Sequence, residues 1–126
     1  MRLLLDSHVI VWWMTNDPRL RSGARRLIEE SEVLVSIASY WELGIKIAAR
    51  RMPPIDFLSE LTANDFQILP ITLAHADEAA RLPYLHGDPF DRMLIAQARS
   101  EDLTLLTDDS KIRGYDVASI PARSAS

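Results

Sequence analysis

Residues 2–6 read RLLLD, a compact apolar run that stops at the carboxylate of Asp6. Such a run, bounded by a charge, predicts a short buried β-strand over Arg2 to Leu5. Two runs of the same kind follow along the chain, at Val33 to Val35 and at Leu103 to Thr107. Segments with helical character separate them, and buried strands that alternate with helices predict a parallel sheet covered on both faces.

The remaining segments complete this alternation. Helices are expected at His8 to Met14, Arg21 to Ser31, Ala38 to Arg51, Ile55 to Ala63, Thr72 to Leu82 and Asp88 to Glu101. Weaker strands are expected at Phe66 to Leu69 and near Asp116 to Ile120, and the tail from Ala122 is expected to fray. The candidate helix N-caps are Ser22, Thr72 and Asp88.

The helix from Ala38 to Arg51 carries an apolar stripe with the period of an amphipathic helix. The stripe consists of Trp41, Gly44, Ile45, Ala48, Ala49 and Met52. This pattern predicts that the stripe faces the core, and that Pro53 and Pro54 end the helix.

The composition is that of a folded protein of one domain. Of the 126 residues, 48% are hydrophobic and 25% are charged, and cysteine is absent. These values exclude a disordered chain, a disulfide scaffold and a thiolate metal site. The longest apolar run, Val9 to Met14, is too short for a membrane span, and Asp6 interrupts the first run, so no signal peptide is expected. We expect a soluble, cytoplasmic protein.

Acidic residues stand where strands end and where helices begin. Asp6 and Asp109 follow predicted strands, and Glu42 and Asp91 lie in the first turns of predicted helices. Each has an ordinary structural explanation when it is taken alone. Asp6 and Asp109 suit turns or caps, Glu42 suits a charge ladder along a helix, and Asp91 suits a capping box opened by Asp88.

The joint pattern of the four carboxylates is more informative. The carboxyl ends of parallel strands share one edge of a sheet, so these side chains are expected to converge there. Two carboxylates about 5 Å apart repel by roughly 3 kcal/mol at an effective dielectric constant near 20. Four of them require protons or cations, and carboxylate oxygens suit Mg²⁺ or Mn²⁺. Such a site can activate water and stabilise the leaving oxygen of an in-line displacement, which is nuclease chemistry.

Four motifs carry these residues in order: Leu3-Leu4-Leu5-Asp6-Ser7-His8, Ser39-Tyr40-Trp41-Glu42-Leu43-Gly44-Ile45-Lys46, Asp88-Pro89-Phe90-Asp91-Arg92 and Leu105-Leu106-Thr107-Asp108-Asp109. Each motif alone is a weak signal, whereas the four in this order and spacing are a strong one. Together they span nearly the whole chain, and with them the sequence resembles the PIN-domain family. Within that family it resembles the VapC-type toxins of bacterial and archaeal toxin–antitoxin pairs.

The resemblance implies a three-layer α/β/α sandwich with a central parallel sheet, in which residues 1–126 form a single PIN-like domain. It implies an endoribonuclease that depends on Mg²⁺ or Mn²⁺ and cleaves structured RNA such as tRNA or rRNA. It also implies a homodimer, and a VapB-type antitoxin as the partner that blocks the site.

The family's acidic quartet falls on Asp6, Glu42, Asp91 and Asp109. In the last motif the family pattern Thr-x-Asp selects Asp109 over Asp108. The resemblance implies that Asp6 and Asp91 are the main metal ligands and that Asp109 binds the metal directly or through water. Glu42 is expected to orient the attacking water. The expected supporting residues are Ser7, Thr107 and Asp88.

Basic and imidazole side chains near these motifs have two interpretations each. Lys46, Arg50 and Arg92 are candidate contacts to RNA phosphates, and a solvated helix face explains them as well. His86, two residues before Asp88, could touch substrate, but a loop histidine is the more ordinary interpretation.

Three other functions compete with this hypothesis. A phosphoacceptor of the receiver type needs an aspartate at the end of the third strand, where this chain has Ile68-Leu69-Pro70. A catalytically silent PIN-like binding module is disfavoured because the acidic quartet is intact. A PIN nuclease that acts outside a toxin pair, on RNA or on DNA, is excluded by no residue.

Overall fold

A parallel β-sheet forms the centre of the structure, a computed structural model that describes residues 1–123. The strands within those residues are β1 (Arg2–Leu5), β2 (Glu32–Ser36), β3 (Gln67–Leu69), β4 (Thr104–Thr107) and β5 (Ser119–Pro121). The helices there are α1 (Ser7–Met14), α2 (Ser22–Glu30), α3 (Ile37–Ala48), α4 (Phe57–Ala63), α5 (Leu73–Arg81), α6 (Pro89–Ser100) and α7 (Ser110–Arg113). The predicted α/β fold with a central parallel sheet is confirmed.

The order of the strands places β1 in the middle of the sheet. That order is β3-β2-β1-β4-β5, and β1 pairs in parallel with both β2 and β4. Leu4 lies beside Leu34 on one side and Leu105 on the other. The chain winds outward in both directions from β1, so the carboxyl end of β1 is a topological switch point, where open α/β sheets bind their ligands.

The strand residues alternate between two apolar cores, one on each face of the sheet. Leu3 and Leu5 pack into the core covered by α1, α2, α3 and α4, whereas Leu4 packs into the core covered by α5, α6 and α7. All three leucines are fully buried. A strand buried on both faces explains why residues 3–5 read as a continuous apolar run rather than an alternating one.

Helix α3 differs from its prediction. The expected core stripe is largely exposed: Trp41 is 62% exposed and Ile45 is 42% exposed, while the buried residues of α3 are Ala38, Ser39 and Leu43. Apolar residues occur on several faces of this helix, so spacing alone could not identify the face that is buried. Trp41 instead packs edge-on against Phe90 of α6, with 5.3 Å between ring centroids.

Several helix ends also differ from the predictions. Ser22 is the first residue of α2 rather than its cap, and Arg21 precedes it without a capping side chain. Helix α3 ends at Ala48, and Arg50 lies beyond it with a left-handed φ of 56°. The short helix α7 was not predicted.

The expected fraying from Ala122 is wrong for that residue. Ala122 is fully buried, and its backbone N–H donates to the carbonyl of Thr107 at the end of β4. The rest of the predicted tail, residues 124–126, lies outside the described residues. In the described part of the chain, every helix is too short or too polar to cross a lipid bilayer.

Candidate active site

The four predicted carboxylates are carried by four different elements around the carboxyl edge of the sheet. Asp6 directly follows β1, Asp109 follows β4, and Glu42 and Asp91 project from α3 and from the first turn of α6. Glu42 and Asp91 line one cleft, Asp6 and Asp109 line a second, and His8 lines both. The convergence expected from the sequence is present in the fold.

Asp6 is the most deeply buried of these carboxylates, with 3% of the residue exposed. Its Oδ1 accepts from the backbone N–H of Val9 at 2.9 Å, so Asp6 caps helix α1. Its Oδ2 accepts from the hydroxyl of Thr107. Burial raises the pKa of the Asp6 carboxyl, and the hydrogen bonds from Thr107 and Val9 oppose that rise only in part. Asp6 therefore both caps α1 and lines the candidate site.

The pKa of Asp91 is also raised by its surroundings. Burial and then the charge of Asp88 raise its pKa from 3.8 to about 7, with smaller contributions from Asp6 and Glu42. Asp88 is the predicted N-cap of α6, and its Oδ1 accepts from the backbone N–H groups of Phe90 and Asp91. Ionisation of the Asp91 carboxyl in this position costs free energy, and a nearby cation would offset that cost.

Glu42 is held between two neighbours. Ser7 donates from its hydroxyl to Oε1 of Glu42 at 2.5 Å, and the ammonium of Lys46 lies 3.6 Å from Oε2. Glu42 thus takes part in a charge pair along α3, and Ser7, one of the expected supporting residues, contacts it directly. These two contacts orient the Glu42 carboxylate at the rim of the site.

The adjacent residues Asp108 and Asp109 point in different directions. Asp108 forms an ion pair of 2.7 Å with Arg123. Asp109 caps α7 through Oδ1, which accepts from the backbone N–H of Lys111, and directs Oδ2 toward the site. The backbone N–H of Asp109 donates to the hydroxyl of Thr107. The geometry thus supports Asp109 rather than Asp108 as the member of the acidic group.

His86 lies inside this site, although the sequence favoured an ordinary loop histidine. Its Nε2 is 2.8 Å from Oδ2 of Asp91 and 3.2 Å from Oδ2 of Asp109. The signal that could have identified it is its position two residues before Asp88, on the loop that leads into α6. This imidazole joins the carboxylate of α6 to the carboxylate that follows β4.

Arg92, a candidate RNA contact in the sequence, makes several hydrogen bonds within the fold. Its guanidinium donates to the backbone carbonyls of Ala79 at 2.8 Å, Leu82 at 3.0 Å and Pro83 at 3.2 Å. It also stacks on the ring of Tyr84. These contacts tie α6 to the end of α5.

Open clefts flank the acidic group on two sides. One of about 340 Å³ contains Glu42 and Asp91 together with Lys46 and Arg51. The other, of about 320 Å³, contains Asp6 and Asp109 together with Arg19 and Arg123. His8 lines both clefts. The acidic centre is thus bordered by basic side chains on either side. Arg51, adjacent to the candidate RNA contact Arg50, lines the first cleft.

The PIN domain family model matches residues 3–118. This chain belongs to the PIN domain family. Ribonuclease VapC22 of Mycobacterium tuberculosis is 34% identical to this PIN domain over 119 residues, which cover 90% of this chain and 91% of that protein. The resemblance predicted from the sequence is confirmed.

Solved structures share the fold of this PIN domain at low sequence identity. VapBC2 from Rickettsia felis, bound to a DNA fragment from their promoter, has a TM-score of 0.73 and 15% identity, and covers 96% of this chain and 98% of its own. A toxin–antitoxin complex from Klebsiella pneumoniae has a TM-score of 0.70 and 16% identity, with coverages of 95% and 97%. FitAcB from Neisseria gonorrhoeae has a TM-score of 0.69 and 18% identity, with coverages of 97% and 99%.

Proposed function

We propose that this PIN domain is an endoribonuclease that depends on Mg²⁺ or Mn²⁺ and acts as the toxin of a VapBC-type toxin–antitoxin pair. That it is an enzyme of the hydrolase class follows from its family and from the relative named as a ribonuclease. The observation that carries the proposal is the group of carboxylates at the switch point of the sheet, in which the pKa of Asp91 is raised to about 7.

The residues present fit a divalent cation. The donors are carboxylate oxygens, which Mg²⁺ and Mn²⁺ prefer, and their mutual repulsion is the kind that a cation relieves. Asp6, Asp91 and Asp109 would hold the ion, and Glu42 would face it from α3. When bound, the ion supplies Lewis-acid stabilisation of charge on the phosphate and makes water a better nucleophile.

The protein's own side chains would position the other reactants. Glu42, held by Ser7 and Lys46, is placed to accept a proton from the attacking water and to orient it. Thr107 keeps the Asp6 carboxylate in place. The basic side chains of the flanking clefts would bind the phosphates on either side of the cleaved bond, with Lys46 and Arg51 on one side.

The substrate class proposed is structured RNA, tRNA or rRNA among it. The site is an open cleft rather than a closed pocket, which suits a strand or loop that passes across it. The chain's net charge is −4, so the local basic groups rather than the overall charge must attract RNA.

The partner proposed is a VapB-type antitoxin, and the toxin itself is proposed to be a homodimer. Relatives with this fold include toxin–antitoxin complexes, which supports the partner. Exposed apolar side chains on α3, Tyr40, Trp41 and Ile45, give this chain a surface that suits contact with protein.

The test is cleavage of total tRNA and rRNA by purified, antitoxin-free protein, with DNA of similar size in parallel. Each substrate is incubated with Mg²⁺, with Mn²⁺, and with EDTA. We expect discrete RNA fragments that require the metal, and intact DNA. Cleavage of DNA instead would indicate a PIN nuclease with another substrate. If the folded protein neither binds metal nor cleaves RNA or DNA, the silent PIN-like binding module would be favoured.

A further inference from the structure

The contacts of His86 point to a task beyond those of the acidic quartet. Its side chain is 11% exposed and its Nε2 lies between carboxylate oxygens of Asp91 and Asp109. We propose that His86 is a direct ligand of the divalent ion through Nε2, beside these two aspartates, and that it makes the site favour Mn²⁺ over Mg²⁺. This inference rests on the proposed metal-dependent function.

The spacing of the three donor atoms matches that of ligands on one metal ion. Neighbouring ligands of a six-coordinate ion with bonds of about 2.1 Å lie about 3 Å apart. Nε2 of His86 is 2.8 Å from Oδ2 of Asp91 and 3.2 Å from Oδ2 of Asp109. Donor atoms of the three residues all lie within 4.8 Å of one another. An ion could therefore replace the direct contacts of His86 with Asp91 and Asp109 without a large movement of the chain.

The loop that carries His86 is fixed in place by α6 and by Tyr115. The Tyr115 hydroxyl accepts from the backbone N–H groups of Leu85 at 3.0 Å and His86 at 2.9 Å, and donates to the carbonyl of Pro83 at 2.6 Å. The guanidinium of Arg92 donates to the carbonyl of Pro83 and, at 3.4 Å, to that of His86. These contacts hold the imidazole in position before an ion arrives, which lowers the entropy lost on binding.

The donor set decides which ion the site prefers. Mg²⁺ favours oxygen ligands and gives up its water reluctantly, whereas imidazole nitrogen suits transition metals better. The imidazole added to the carboxylates of Asp6, Asp91 and Asp109 therefore shifts the preference of the site toward Mn²⁺ over Mg²⁺. The loss of the imidazole should weaken Mn²⁺ binding much more than Mg²⁺ binding.

A competing account of the same contacts predicts a change of opposite sign. If His86 served only as an internal counter-ion for the two carboxylates, an arriving metal would have to displace it. Removal of the imidazole would then strengthen metal binding rather than weaken it. The direction of the change in Mn²⁺ affinity separates the two accounts.

The experiment measures Mn²⁺ by electron paramagnetic resonance in the full-length protein. Bound Mn²⁺ is titrated in the wild type, in His86→Gln and in His8→Gln, the matched control at the neighbouring histidine. We expect Mn²⁺ affinity to fall by about tenfold or more in His86→Gln, and Mg²⁺ affinity, measured by competition, to fall less. Electron spin echo modulation should show coupling to an imidazole ¹⁴N in the wild type and in His8→Gln, but not in His86→Gln.

Two results would overturn the inference. One is wild-type protein that binds Mn²⁺ without ¹⁴N coupling, a measurement that needs no variant to fold. The other is His86→Gln that binds Mn²⁺ as tightly as the wild type or more tightly. If Asp91→Asn still abolished binding in either case, the proposed metal-dependent function would stand without His86. Wild-type protein that binds neither ion would overturn both proposals.

Discussion

Replacement of Asp91 by asparagine should stabilise the metal-free protein. Asparagine keeps the shape of the side chain and removes the negative charge that burial, Asp88 and the rest of the acidic group oppose. Because the folded state raises the pKa of Asp91 above its unfolded value, the folded state binds the extra proton between those two values. The free energy of unfolding of the wild type therefore falls as the pH rises from about 4 to about 7.

The magnitude follows from the width of that pH range. The pKa of Asp91 moves from 3.8 to about 7, and one pH unit corresponds to about 1.4 kcal/mol, which sets a ceiling of about 4 kcal/mol. Solvent reaches part of this carboxylate, and the variant weakens the contact with His86, so we expect about half of the ceiling, about 2 kcal/mol, at pH 8. For a chain of 126 residues this is a rise in Tm of about 7 °C.

The assay is urea unfolding at pH 4 and at pH 8, in EDTA, with Asp116→Asn as a control for the loss of one exposed negative charge. The stabilisation by Asp91→Asn should be near zero at pH 4 and reach its full value at pH 8. Added Mn²⁺ should stabilise the wild type but not the variant. Equal effects at both pH values, or destabilisation at pH 8, would refute the electrostatic account of this site.

Two further substitutions test the supports of the site. Thr107→Val removes the hydroxyl that donates to buried Asp6 and should lower the free energy of unfolding by about 1–3 kcal/mol, measured by urea unfolding. Thr107→Ser keeps the donor and serves as the control. An equal loss in the serine variant would show that packing rather than the hydrogen bond matters. Tyr115→Phe removes the hydroxyl that holds the loop of His86. We expect this variant to have a lower Tm and a lower Mn²⁺ affinity, measured by titration. Unchanged Mn²⁺ affinity would show that this loop does not position the metal site.

Local signals predicted the sheet and the helix starts well. The run at Leu3 to Leu5 is apolar at every position because both faces of β1 are covered. Such a short apolar run, bounded by the charge of Asp6, predicts a buried strand from the sequence alone. Thr72 and Asp88 are confirmed as N-caps because each supplies an oxygen to the first turn that follows it. The acidic group followed from the same logic, since its members stand beside strand ends and helix starts.

Features that depend on tertiary packing escaped prediction. Helix α3 has apolar residues on several faces, and its contacts with the rest of the fold, not its period, decide that Leu43 is buried and Trp41 exposed. The position of His86 in the site depends on a loop held by Tyr115, nearly thirty residues later. The hydrogen bonds of Arg92 could not be predicted, because the carbonyls that it contacts become its neighbours only after α5 and α6 pack together.

The most direct test of the central claim compares Asp109→Asn with Asp108→Asn in the RNA cleavage assay. Both variants lose one carboxylate at adjacent positions, but Asp109 faces His86 whereas Asp108 faces Arg123. The account predicts that Asp109→Asn loses metal-dependent cleavage by about 100-fold or more, while Asp108→Asn loses far less. Equal activity of the two variants, or cleavage by Asp109→Asn at the wild-type rate, would contradict it.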